Sequence, residues 1–258
     1  MTTAPRKVLL FWLLGLLVWG GWSDLVHAAS EQVARATAQA RDAGVDEASL
    51  NRILALGVDH GYGPKETRSI LDLLQVAAEE GIPARPFVAK VEEGVRKRVP
   101  LQRILPALSK KLDEYRFIQG FIRERIRPRG GAFGPDHLVT LAETLDMGLG
   151  RDQLREFLKH APQAAPAMLV QGAESFALLH QAGFSEQGAR RIVYTGLEQE
   201  TFTPQWRLFP VLAGRALGQG MDETAIVAAV TRVLHQGGSP RDVAEALGLT
   251  WRDLQAGS

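Results

Sequence analysis

The chain has 258 residues, with 30 Lys and Arg against 29 Asp and Glu, a formal charge of +1 and no cysteine. Without a thiol there can be no disulfide, thiolate metal centre, cysteine nucleophile or cysteine-linked lipid. The balanced charge argues against a dedicated polyanion binder, and nucleic acid is not an expected partner.

At the N-terminus, Arg6 and Lys7 precede an uncharged apolar run from Val8 to Trp19. Gly20, Gly21 and Trp22 break the run before Val26-His27-Ala28-Ala29. This is the order of a cleaved export signal. The run is shorter than the ~20 residues that a membrane-spanning helix needs. The expected cleavage follows Ala28, with Ala29 as the second choice and a retained N-terminal anchor as the competing reading. Cleavage would remove Arg6, Lys7 and Asp24 and leave 28 basic and 28 acidic residues. No later run is apolar and long enough to cross a membrane, so the mature chain is expected to be exported to the periplasm or envelope without a transmembrane helix.

From Ser30 onward, apolar residues recur at helical spacing, and the alternation that marks strands is missing. The segment Pro64 to Glu80 places Ile70, Leu71, Leu73, Leu74, Val76 and Ala77 on one wide stripe, and Asp222 to Gln236 does the same with Ala225, Ile226, Ala228, Val230, Val233 and Leu234. A glycine, an apolar residue and a helix-starting residue recur together. They stand at Gly44-Val45-Asp46, Gly81-Ile82-Pro83, Gly183-Phe184-Ser185, Gly220-Met221-Asp222 and Gly248-Leu249-Thr250. Looser copies stand at Gly61-Tyr62-Gly63-Pro64, Gly148-Leu149-Gly150 and Gly238-Ser239-Pro240. Each copy can end one helix in a left-handed turn, fold an apolar residue back and cap the next helix.

The spacing from Gly148 to Gly183 is 35 residues and from Gly183 to Gly220 it is 37, the length of a helix pair. The expected fold is therefore all-α, with stacked short helices arranged as a solenoid-like repeat or an irregular bundle. The longest helix should run from about Pro100 to Ile126 and contain Pro106. Pro128 to Pro135 interrupts the pattern. The expected organisation is a signal over 1–28, a helical region over 29–128, a Pro/Gly-rich turn or linker over 129–135, and a second helical region over 136–258.

Catalytic patterns are missing. His60, His137, His160, His180 and His235 do not pair at ligand spacing, and no Gly-x-Ser-x-Gly or phosphate-binding glycine loop occurs. Asp136 reads as an N-cap or first-turn acid, and Ser185, Asp222 and Ser239 read as caps. No metal or cofactor is expected. The strongest charge feature is basic: Arg96, Lys97, Arg103, Arg116, Arg123 and Arg127 form a possible face for an anion or a partner. The competing reading is a solvated helix face neutralised by Asp113, Glu114 and Glu124.

Pro86-Phe87-Val88-Ala89-Lys90-Val91-Glu92-Glu93-Gly94-Val95-Arg96-Lys97, followed by Val99-Pro100-Leu101-Gln102-Arg103-Ile104, resembles a motif of uncharacterised exported bacterial all-helical proteins. The resemblance covers roughly residues 63–111 and implies export and an all-helical fold, without an activity. Together these readings lead to the expectation of a non-catalytic binding or scaffolding protein, whose partner is an envelope protein or an anionic cell-wall polymer. The alternative is an envelope hydrolase acting on cell wall.

Overall fold

The computed structural model describes residues 30–125 and 132–249, and the described residues are all-helical with no strand among them. Ala28, Ala29 and the rest of the expected signal lie outside them, as do Arg127 and positions 129–131 of the expected linker. Helix α1 spans residues 30–42, followed by α2 Glu47–Asp59, α3 Pro64–Glu79, α4 Arg85–Arg96 and α5 Leu101–Arg125. Then come α6 Pro135–Asp146, α7 Arg151–His160, α8 Pro166–Gln181 and α9 Glu186–Glu198. A 3-10 turn over Pro204–Leu208 leads into α10 Phe209–Gly218, α11 Glu223–His235 and α12 Pro240–Ala246. No described helix is long and apolar enough to cross a membrane.

The recurring glycine phrase is one hydrogen-bonded device. After α1, Gly44 N donates to Arg41 O at 2.9 Å and Val45 N to Ala40 O at 3.0 Å, the paired bonds of a Schellman turn. The same pair closes α8, where Gly183 N donates to His180 O and Phe184 N to Leu179 O, both at 3.1 Å. Gly183 holds φ at +97°, which a side chain would resist, and Phe184 folds back to 3% exposure. Ser185 then accepts from Gly188 N at 3.1 Å and opens α9. Asp46 and Asp222 cap α2 and α11 through Ser49 N and Ala225 N.

Three turns depart from the expected phrase. In the last third of the chain the left-handed residue is Gly237 (φ 66°), whereas the expected phrase puts it at Gly238. Gly238 occupies the fold-back slot, its N donating to Val233 O at 2.9 Å. A Cβ there would approach Val233 Cγ1 to 2.7 Å, so the slot admits no apolar side chain. Elsewhere the device is closed without glycine. Arg98 (φ 54°) and Glu200 (φ 50°) sit in the left-handed slot after α4 and α9, with the same paired bonds. Each follows by four residues a glycine packed against an apolar side chain, Gly94 on Ile104 and Gly196 on Phe202. A left-handed non-glycine residue costs about 1–2 kcal/mol, part of which glycine's larger unfolded-state entropy would offset. Arg98→Gly and Glu200→Gly are therefore each expected to stabilise the chain by about 0.5–1 kcal/mol, seen as a rise in denaturant midpoint. A fall in midpoint for both would show that the Arg and Glu side chains contribute more than the strain.

The chain divides into two compact units between Leu112 and Asp113, inside α5. In the first, α2 packs on α3 and α4, burying Leu50, Ile53, Ile70, Leu71, Leu74 and Phe87 to 1% exposure or less. In the second, α8 lies at the centre, contacting α6, α9 and α10, while α9 packs on α11. Leu169, Ala173 and Leu179 on α8 are fully buried.

Candidate functional site

The six basic positions fall into different surroundings. In the first unit, Arg96, Lys97 and Arg103 are exposed. Lys97 Nζ lies 2.5 Å from Glu93 and Lys90 Nζ 2.9 Å from the same carboxylate. The hydrogen bonds from Lys97 and then Lys90 hold the Glu93 carboxyl down to about 2, so Lys97 is already committed to a neighbour. In the second unit, Arg116 and Arg123 stand seven residues apart on α5, both exposed. Arg116 reaches Asp113 at 3.4 Å. Arg123 has no acidic partner among the described residues.

The fold adds two cations that the sequence pattern missed. From α7, the guanidinium carbons of Arg151 and Arg155 lie 5.3 and 5.2 Å from the centroid of the Phe117 ring on α5. Phe117 itself stacks on Phe121, with centroids 6.5 Å apart. Arg155 also pairs with Asp152, whereas Arg151 has no acidic partner among the described residues. Guanidinium groups resting on an aromatic ring keep their outward N–H groups and lose little freedom on meeting a carboxylate or phosphate. The only hint in sequence was Arg151 and Arg155 on one helix face, but nothing there linked them to Phe117, more than 30 residues earlier.

A second feature is a cleft of about 250 Å³ within the second unit, between the first turn of α6, the middle of α8 and the 3-10 turn. The structure places Asp136 in the first turn of α6, where Gly134 is the N-cap. His137 beside it accepts a hydrogen bond at Nδ1 from Gly134 N, 3.1 Å away, which leaves the ring hydrogen on Nε2. Across the cleft stand Gln171 and Glu174 of α8 and Arg207 of the turn, with the Arg207–Glu174 pair 3.6 Å apart. Val170, Phe202 and Pro204 form the apolar walls. The polar Gln171, Glu174 and Ser175 interrupt an otherwise apolar helix, and that interruption was the legible signal for this cleft.

Two other histidines, His160 and His235, contact neighbouring groups. His160 stacks on Tyr194 with centroids 3.7 Å apart and places Nε2 3.0 Å from Glu198. A ring nitrogen of His235 lies 2.6 Å from Thr231 O. Among the described residues no group of three or more His, Asp or Glu could hold a metal. Ser185, read in sequence as a cap, is also held by Glu223, whose carboxylate accepts from its N and its hydroxyl. The only buried carboxylate among the described residues is Glu114 on α5, 4% exposed, beside the fully buried Tyr115. Burial, and then Glu143, Asp146 and Glu114, push the Tyr115 phenol well above its ordinary range.

These features define a class of molecule, an all-helical chain whose short helices are joined by Schellman turns. No known protein family, curated protein or solved structure matches the chain.

Proposed function

We propose that this chain is an exported, non-catalytic binding protein of the bacterial periplasm or envelope, built from stacked helix pairs, that docks an anionic cell-wall polymer on the arginine face of α5 and α7. The observation that supports this reading is the pair of guanidinium groups, Arg151 and Arg155, held over Phe117, with Arg123 and Arg151 lacking an acidic partner among the described residues. Such a face attracts polyanions in a salt-dependent way and recognises carboxylate or phosphate by charge-assisted hydrogen bonds.

The test is co-sedimentation of the full-length chain with isolated cell-wall sacculi, together with titration of a soluble polycarboxylate at several salt concentrations. Arg123→Glu with Arg151→Glu is expected to weaken binding about tenfold at physiological ionic strength. Surface changes of this kind usually move stability by no more than about 0.5 kcal/mol. Binding that survives the double reversal unchanged would mean that the face is only solvated surface. The hydrolase reading would instead rest on Glu114, the buried carboxylate of α5, as the candidate acid. Release of soluble fragments from sacculi, abolished by Glu114→Gln, would replace the binding proposal with that one.

A further inference from the structure

We infer that the cleft between α6, α8 and the 3-10 turn is a receptor for a basic side chain, the arginine or lysine of a partner peptide. This site is distinct from the arginine face and does not depend on the reading of that face.

The argument starts at the floor. Gln171 is 8% exposed, and one end of its amide bonds Ser175, 3.3 Å away and fully buried. The other end has no hydrogen-bond partner among the described residues and lines the cleft. The Gln171 side chain therefore keeps a free acceptor at the cleft, open to a donor from a ligand or from water. Around it the charges are two carboxylates, Asp136 and Glu174, against one cation, Arg207. The cleft is therefore acidic by one charge. Its volume of about 250 Å³ holds roughly eight waters, too little for a whole drug-sized ligand but enough for one long side chain. Val170, Phe202 and Pro204 supply an apolar lining that suits the methylene stem of Lys or Arg, whose charged head prefers a polar end.

Arg207 shows how a cation meets this site. Its guanidinium lies 3.6 Å from Glu174, yet its side chain is 63% exposed, so it is a loosely held occupant. An incoming guanidinium can meet the Glu174 carboxylate, the Asp136 carboxylate at the rim and the Gln171 amide oxygen, and send Arg207 out to solvent. An anionic ligand would meet Arg207 and the His137 Nε2–H, but also two carboxylates.

The experiment is a nuclear magnetic resonance titration of the full-length chain with N-acetyl-arginine amide, N-acetyl-glutamine amide and N-acetyl-glutamate amide. It follows the Gln171 side-chain amide. The arginine probe is expected to shift that signal, and the glutamine probe to shift it at least fivefold more weakly. Glu174→Gln is expected to reduce the arginine affinity by a similar factor. Arg207→Ala is expected to tighten it by up to about fivefold, because it removes a competitor worth at most about 1 kcal/mol. A Gln171 signal that stays still at millimolar arginine probe overturns the inference. So does an Arg207→Ala chain that binds arginine more weakly, or a preference for the glutamate probe. Arg207 is exposed, so its removal leaves the fold intact and the sign of its effect stays readable.

Discussion

Trp206→Ala will destabilise the chain by about 3–5 kcal/mol, the range for emptying a fully buried large aromatic site. Trp206 is 1% exposed and is among the largest fully buried side chains. It sits in a five-residue 3-10 turn, which has little hydrogen bonding of its own to hold it. Packing must hold that turn. The indole meets Phe202 and Phe209 edge-on, with centroids 5.8 and 5.4 Å apart, an arrangement that adds to plain area burial. The turn itself lies against α8, α10 and α12. Domains are typically stable by only 5–15 kcal/mol, so a loss of this size removes a large fraction of the total. The measurement is a denaturant melt followed by far-ultraviolet circular dichroism, with Trp206→Phe as the control that keeps one ring in place. A loss below 1 kcal/mol for the alanine variant would mean that the turn is held mainly by its backbone. The effect reaches function as well, because Pro204 and Arg207 of the same turn line the cleft.

What could be read in the sequence follows from which interactions are local. The helix over 100–126 is described as Leu101–Arg125, with Pro106 inside it, and the stripes from Pro64 and Asp222 lie on α3 and α11. Glycine marks the left-handed slot because only glycine enters it without strain, so most helix ends were legible. The ends at Arg98 and Glu200 were not, since there the paired backbone bonds impose the conformation on an unsuitable residue. The Gly237 turn was missed by one position because two adjacent glycines satisfy the same pattern, and only the contact with Val233 decides between them. The site was harder to read for a different reason. Arg116 and Arg123 share a face by helical period alone, but Arg151 and Arg155 join Phe117 only through tertiary packing. Asp136 and His137 were visible as helix punctuation. That they face Gln171 and Glu174 depends on α6 packing against α8, a contact no local pattern encodes.

That packing rests on close approach at a few helical glycines, which yields the second large effect. Gly172→Ala on α8 is expected to destabilise the chain by about 1–2 kcal/mol. Alanine should gain up to about 1 kcal/mol in helix propensity, whereas overpacking a filled core costs about 1–3. The second effect prevails here because of what the new Cβ would meet. It would lie 2.7 Å from Phe157 Cζ and 3.3 Å from Val193 Cγ1. Phe157 cannot swing away easily: it is 3% exposed and its ring is flanked by Phe176 and Tyr194, with centroids 6.5 and 6.2 Å off. Gly120 on α5 is the matched contrast, since among the described residues nothing lies within 4 Å of a Cβ built there. Gly120→Ala should stabilise by up to about 1 kcal/mol, so the same substitution changes sign between two helices. Pairing Gly172→Ala with Phe157→Leu tests the cause. The double variant should lose less than the sum of the two singles, because shortening the ring makes room for the methyl. Additive losses would show that the strain lies elsewhere on α8. Phe157 belongs to α7, the helix that carries Arg151 and Arg155 to Phe117, so a displaced ring would also disturb the arginine face. Gly172→Ala should then weaken polyanion binding although no charge has changed, and the Phe157→Leu partner should restore part of it.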